Sequence, residues 1–139
     1  MEYKRFNSKI IVRFDKGEEI LESLINLCEK EEIKLASVNA VGAVNKVTIG
    51  CFNVIEKKYY FKEYSGIFEI ASLTGNISTK NGETYLHIHC SLANENYQTI
   101  GGHLNRAIVS ATCEMVIDLI DGEIDRKFSE EIGLNLYKL

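Results

Sequence analysis

The only three histidines of the 139 residues all fall between positions 87 and 103. Two stand in Leu86-His87-Ile88-His89-Cys90. There a period-two pattern sends Leu86, Ile88, Cys90 and Leu92 to one side of a strand and Tyr85, His87, His89 and Ser91 to the other. Residues i and i+2 of a strand share a face about 7 Å apart, close enough for two imidazoles to converge on one metal ion. His103 supplies a third ligand if the loop after Ser91 folds back over that face. Gly101-Gly102 ease the return, since residues without Cβ can take positive φ and pass close to another backbone. Imidazole suits Zn, Ni, Cu or Fe, and Zn2+ is the default cofactor where no thiolate or redox partner is evident. Three nitrogen ligands leave one position open, the pattern of catalytic zinc sites, whereas structural sites are usually closed by four. The plainer alternative is that each His is an ordinary solvent-facing or hydrogen-bonded strand residue.

Acid–base chemistry beside the histidines needs a carboxylate. Glu114 interrupts the polar face of a long alternating segment, and Glu69 sits among Ile67, Ala71, Leu73 and Ile77 on an otherwise apolar face. Either could serve as general base, fourth ligand or a partner that orients a His; the alternative for each is a surface or salt-bridged carboxylate. Tyr85, on the His face, could donate to a bound anion or simply pack against a neighbouring strand. No Ser-His-Asp set, phosphate-cradling glycine loop or dinucleotide fingerprint is present, and Gly42 and Gly50 are isolated.

The elements that must position these groups are mostly strands. Ile10, Val12 and Phe14 alternate with Lys9, Ile11 and Arg13. One helix follows: Asp15 is a plausible N-cap with Glu18 three residues on, and Ile20, Leu21, Leu24, Leu27 and Cys28 recur at helical spacing to about Glu31. Residues 35–44, 46–55 and 59–64 are rich in β-branched and aromatic side chains, with a turn expected at Lys57-Lys58. Residues 66–78 read as a central strand, and Asn81-Gly82 is a strong hairpin signal leading into the His-bearing strand. Residues 94–102 read as a polar loop. From about Asn105 to Ile120 the period is two, with Ala107, Val109, Ala111, Cys113, Met115, Ile117 and Leu119 on one side. Asp121-Gly122 turns the chain into a short strand near residues 124–128, and residues 134–139 form a candidate edge strand. The sum is α+β: a mostly antiparallel sheet of seven or more strands with one principal helix, in a single domain spanning 1–139.

Composition excludes several function classes. Net charge is −4, against an unaided phosphate-backbone binder, which draws non-specific affinity from clustered Lys and Arg. Lys57-Lys58 and Arg126-Lys127 read as solvated turn or edge positions. Proline is absent, where average usage gives about seven. No stretch approaches the ~20 apolar residues of a membrane span, and residues 1–6 do not resemble a secretion signal. Four cysteines without a Cys-x-x-Cys pair are expected to be reduced thiols, so the expected location is the cytoplasm, with no membrane partner.

Several stretches together resemble the PPC domain, named for its occurrence in plants and prokaryotes. They are Gly17-Glu-Glu-Ile-Leu, Val41-Gly-Ala-Val44, Gly66-Ile-Phe-Glu-Ile-Ala-Ser-Leu-Thr-Gly75, Leu86-His-Ile-His-Cys-Ser-Leu-Ala93, Gly101-Gly-His-Leu104 and the ending from Phe128 to Leu136. The resemblance implies an α+β fold like that of acetolactate decarboxylase, assembly as a homotrimer, and a zinc site whose ligands here are His87, His89 and His103. It implies a metal-binding, self-associating domain with an assembly or regulatory role; the alternative is a zinc-dependent enzyme acting on a small carbonyl or ester at the open metal position. Plant members generally lack these histidines and carry an AT-hook ahead of the domain. This sequence keeps all three and contains no Arg-Gly-Arg-Pro, which puts the family's DNA-binding label in doubt here. One Zn2+ per chain would still leave the charge negative.

Overall fold

Alternation of apolar and polar residues runs almost the length of the chain, and the computed structural model, which describes residues 1–139, turns it into eight strands and one helix. In chain order these are β1 (Glu2–Phe6), β2 (Lys9–Asp15), α1 (Ile20–Lys30), β3 (Ala36–Asn53), β4 (Lys58–Lys80), β5 (Glu83–Asn94), β6 (Thr99–Leu119), β7 (Arg126–Ser129) and β8 (Leu134–Tyr137). The large sheet has the order β1-β2-β6-β3-β4-β5, every pairing antiparallel. Because β6 also pairs with β5, strands β3 to β6 close into a ring, and residues 89–93 of β5 have a partner on both sides.

The α+β reading, with one helix on a mostly antiparallel sheet, holds. Several boundaries differ. Residues 35–44 and 46–55 join in β3, and residues 59–64 and 66–78 join in β4, because nothing between them breaks the chain. The mismatched phases are absorbed by bulges instead. One lies near Val44 and Lys46, where the buried set passes from Val38, Ala40 and Val44 to Val47 and Ile49. Another lies between Ile70 and Ser72: Phe68 and Ile70 face the core before it, Leu73 and Ile77 after it. Ile67, Glu69 and Ala71 therefore point outward and do not share a face with Leu73 and Ile77.

Asp15 does not cap the helix, since it remains in the β2–β6 ladder opposite Thr112. Glu19 caps it, accepting from the Glu22 N–H at 2.7 Å and, through its other oxygen, from the Ala107 N–H at 2.8 Å. The cap thereby pins α1 to β6. Ile20, Leu24, Leu27 and Cys28 are buried against the sheet in one continuous core with Phe14, Ile77, Ile88, Met115 and Ile117. The Asn81-Gly82 hairpin forms as expected, with both residues at positive φ. Residues 134–139 do not extend the large sheet; β8 pairs with β7 in a separate hairpin.

Ile88 is 1% exposed and is the core anchor of the strand that carries His87 and His89. Ile88→Ala should cost about 2–5 kcal/mol and Ile88→Val about 0.5–1.5 kcal/mol, read from the shift in urea midpoint. An Ala variant as stable as the parent would mean that β5 is not anchored through this residue.

Candidate metal centre

The local fold that builds the site is a direct strand pairing, not a returning loop. β6 begins at Thr99, and Gly101, Gly102 and His103 lie within it opposite Ser91, Cys90 and His89. Neither glycine has positive φ. Their role is close approach: a Cβ on Gly101 would stand 2.6 Å from the Cys90 carbonyl oxygen, and one on Gly102 2.7 Å from that of Gly50. A bulge then decides which way His103 points. The ladder passes from Thr48–Arg106 to Ile49–Leu104, leaving Asn105 as the extra residue. Without it, the strict alternation from Ala107 onward would turn His103 into the core. With it, Leu104 is buried and His103 shares the outward face of His89 and His87.

The three rings form a near-equilateral set with centroids 5.2, 5.5 and 5.4 Å apart. One ligating nitrogen from each lies within 4.8 Å of the others. The Nε2 atoms of His87 and His89 are 3.3 Å apart. Two nitrogens on a tetrahedral zinc at about 2.05 Å would be separated by about 3.3 Å, so this pair already has the spacing of a chelate. His103 Nδ1 is buried without a hydrogen-bond partner, a cost that a ligand at the site can relieve. Burial, and then the neighbouring His87 and His89, pushes the His103 imidazole down to about 4. Burial, then His89 and then the Arg126 charge, lowers that of His87. Neutral imidazole is the metal-binding form, and the donor set fits a divalent transition ion.

Residues that the sequence reading did not assign to the site lie around the set. Tyr59 packs on His103 with centroids 5.0 Å apart, within an aromatic row that includes Phe52 and Phe61. Gly50 permits this row, since a Cβ there would stand 2.7 Å from the Phe61 ring. Burial, and then nearby Tyr85, raises the Tyr59 phenol. Arg126, expected to be solvated, is buried: its guanidinium lies over Tyr85 and Tyr137 and donates to Ser78, Asn76 and the Asn135 carbonyl. On another side a cleft of about 200 Å³ is lined by Ser72, Thr74, His89, Cys90, Ser91, Gly101 and Gly102. Tyr59 and Arg126 had no local signal, because strands distant in sequence bring them in.

The two carboxylates are not brought to the histidines. Glu114 lies eleven residues along β6 from His103, roughly 35 Å of strand, and pairs with Arg13 and Val41. Glu69 lies five residues along β4 from Thr74, the partner of His89, roughly 17 Å away, and pairs with Ala43 and Ala93. Sharing a polar face does not bring side chains together when strands are this long. Within one chain, neither acts as base or fourth ligand at this centre.

A family model described as the Plants and Prokaryotes Conserved (PCC) domain matches residues 1–121. A crystal structure from Bacteroides thetaiotaomicron, provisionally labelled DNA-binding, is 34% identical with a TM-score of 0.96 and covers 99% of this chain and 96% of its own. A metal-containing protein of Archaeoglobus fulgidus is 32% identical with a TM-score of 0.87, covering 98% and 96%. Acetolactate decarboxylase from Bacillus subtilis shares the fold at 16% identity and a TM-score of 0.57, over 84% of this chain and 54% of that one. No curated protein matches the chain.

The depressed His103 value has a definite sign. Unfolded, the ring takes up its proton near 6.5; folded, near 4. Between these values the unfolded chain binds the extra proton, so the metal-free protein should lose stability as pH falls from 6.5 to 4. In metal-free protein, imidazole 15N shifts should show His103 neutral at pH 5.5, and an ordinary titration near 6.5 would contradict its burial.

Proposed function

The chain belongs to the Plants and Prokaryotes Conserved (PCC) domain family, and on that premise we propose that it is a metal-binding, self-associating domain with an assembly or regulatory role. The observation that carries the metal reading is the convergence of His87, His89 and His103, two of them already at chelate spacing. The metal-containing relative from Archaeoglobus fulgidus supports it. Zinc is the ion this set favours: no thiolate faces it, since Cys90 is buried on the opposite side of β5, and all four cysteines are free thiols. Free thiols suit a reducing compartment, in keeping with a cytoplasmic location. No helix is long and apolar enough to cross a membrane.

Self-association has its own support. The helix covers one face of the large sheet, while the opposite face exposes Ile11, Val41, Ile67 and Val116, with Val41 and Ile67 57% and 67% accessible. The ladders set Ile11 beside Val116, and Val41 beside the Glu114 that faces Arg13. Such a face is the kind of surface a second copy covers, and the family resemblance supports a homotrimer as the assembly.

A second reading is a zinc-dependent enzyme for a small carbonyl or ester substrate. The cleft beside His89 favours it, because Ser72, Thr74 and Ser91 offer hydroxyl donors next to the imidazoles. A bound metal would supply Lewis acidity at the ligand position that three histidines leave open. DNA comes only through the label of relatives such as the Bacteroides thetaiotaomicron protein. The net charge of −4 opposes direct phosphate-backbone contact.

Metal analysis of untagged protein should find one divalent ion per chain, falling below about a tenth of an equivalent in His89→Ala; a wild type that holds no metal after purification and reloading with it would overturn the reading. Light scattering should give a trimer mass that Val41→Asp lowers, and a monomeric wild type would remove self-association. Gel shift with duplex DNA at low salt should show no complex, whereas a complex that weakens steeply with salt would establish direct binding.

A further inference from the structure

Arg126 is only 7% exposed, and none of the ion pairs of the chain includes it. Its guanidinium carbon sits 4.7 Å from the Tyr85 ring centroid and 4.3 Å from that of Tyr137. Three of its N–H groups go to neutral acceptors: Ser78 Oγ at 2.8 Å, Asn76 Oδ1 at 2.7 Å and the Asn135 carbonyl at 2.9 Å. A guanidinium has five N–H groups, so two remain. The acids nearest in sequence are engaged elsewhere. Glu123 accepts from Thr79 Oγ1 at 3.1 Å, and Asp125, 3.5 Å from the same hydroxyl, accepts from the Asn81 N–H. A buried cation without a counter-charge is costly, and proteins seldom leave one so.

Its position indicates where the missing charge belongs. Asn76, which holds the guanidinium, is the register partner of His87, and Tyr85, under the guanidinium, shares the face of His87. The three-histidine cluster includes no carboxylate. A divalent ion there adds to the Arg126 charge with no protein anion to balance either. Asn135 Oδ1 is also buried without a partner, and its amide nitrogen reaches the Tyr85 hydroxyl at 3.5 Å.

We propose that the ligand of this centre is a small oxyanion, a carboxylate or phosphate group bound jointly by Arg126 and the histidine-held metal, with Asn135 accepting from a hydroxyl beside it. The inference rests on the metal reading above and extends it to the class of ligand. Guanidinium suits it, since its planar fork matches the two oxygens of such groups. The selecting residues come from the β7–β8 hairpin, beyond residues 1–121 that the family model matches. This hairpin is thus a working part of the site as well as a fold element.

Calorimetry on the zinc-loaded full chain with glycolate, its neutral counterpart glycolamide and inorganic phosphate tests the inference, with metal content measured on the same samples. Glycolate or phosphate should bind at least about tenfold more tightly than glycolamide, and the tighter of the two anions identifies the group. Arg126→Gln should narrow the preference to what the metal charge alone gives while one metal per chain remains, and Arg126→Lys should keep more of it. Wild-type affinities for both glycolate and phosphate no tighter than for glycolamide, a result that requires no variant to fold, overturn the inference, as does no binding of either anion. A preference left unchanged by Arg126→Gln overturns it too. A wild-type chain that takes up no metal overturns the metal reading, and this inference falls with it; metal uptake without anion preference overturns the inference alone.

Discussion

The centre depends on one constraint, the confinement of β5 between β4 and β6. Where β6 pairs with β5 as well as with β3, the ring of strands closes, and His89 and His103 become direct cross-strand neighbours. Such neighbours lie about 5 Å apart at Cβ, too close to avoid each other's side chains. Closure needs backbones without Cβ atoms in the way, which Gly101 and Gly102 supply. It also needs the Asn105 bulge, which leaves Leu104 in the core and His103 outside it. The imidazole cluster follows from how the barrel is sealed.

Electrostatics then give the site its chemical character. The enclosing side chains are aromatic or neutral polar, so burial holds His87 and His103 toward the neutral form that donates a lone pair. The charge whose field reaches His87 is that of Arg126, held over Tyr85 and by Asn76, and it is a cation. On the proposed reading, a centre built this way takes a metal in place of a proton, and an anion over a neutral ligand once the metal is present. The chain as a whole is acidic, so what this site attracts is not readable from net charge.

Much of the local structure was legible in advance. Alternation identified the buried faces of β2, β5 and β6, the 3.6-residue repeat identified α1, and Asn81-Gly82 marked its hairpin, because each rests on neighbours within a few residues. The clustering of the histidines was legible in part, through His87 and His89 on one strand face. Two kinds of feature were hidden. Bulges shift the phase of an alternating strand without a marker in composition, so Glu69 was assigned to the wrong face. Strand length was underestimated as well, which is why Glu114 could be imagined beside histidines that it never approaches.

The amino-acid order by itself determined the α+β class, the single principal helix, the apolar faces and the three residues able to hold a metal, since periodicity and side-chain chemistry are local properties. Tertiary structure alone decided that β6 closes on β5, that Tyr59 packs on His103, that Arg126 is buried against Tyr85 and Asn76, and that Glu69 and Glu114 stand apart from the imidazoles. Those outcomes depend on which strands pair and in what register. Register is fixed by core packing and backbone hydrogen bonding summed across the whole sheet, and no short window of sequence contains that sum.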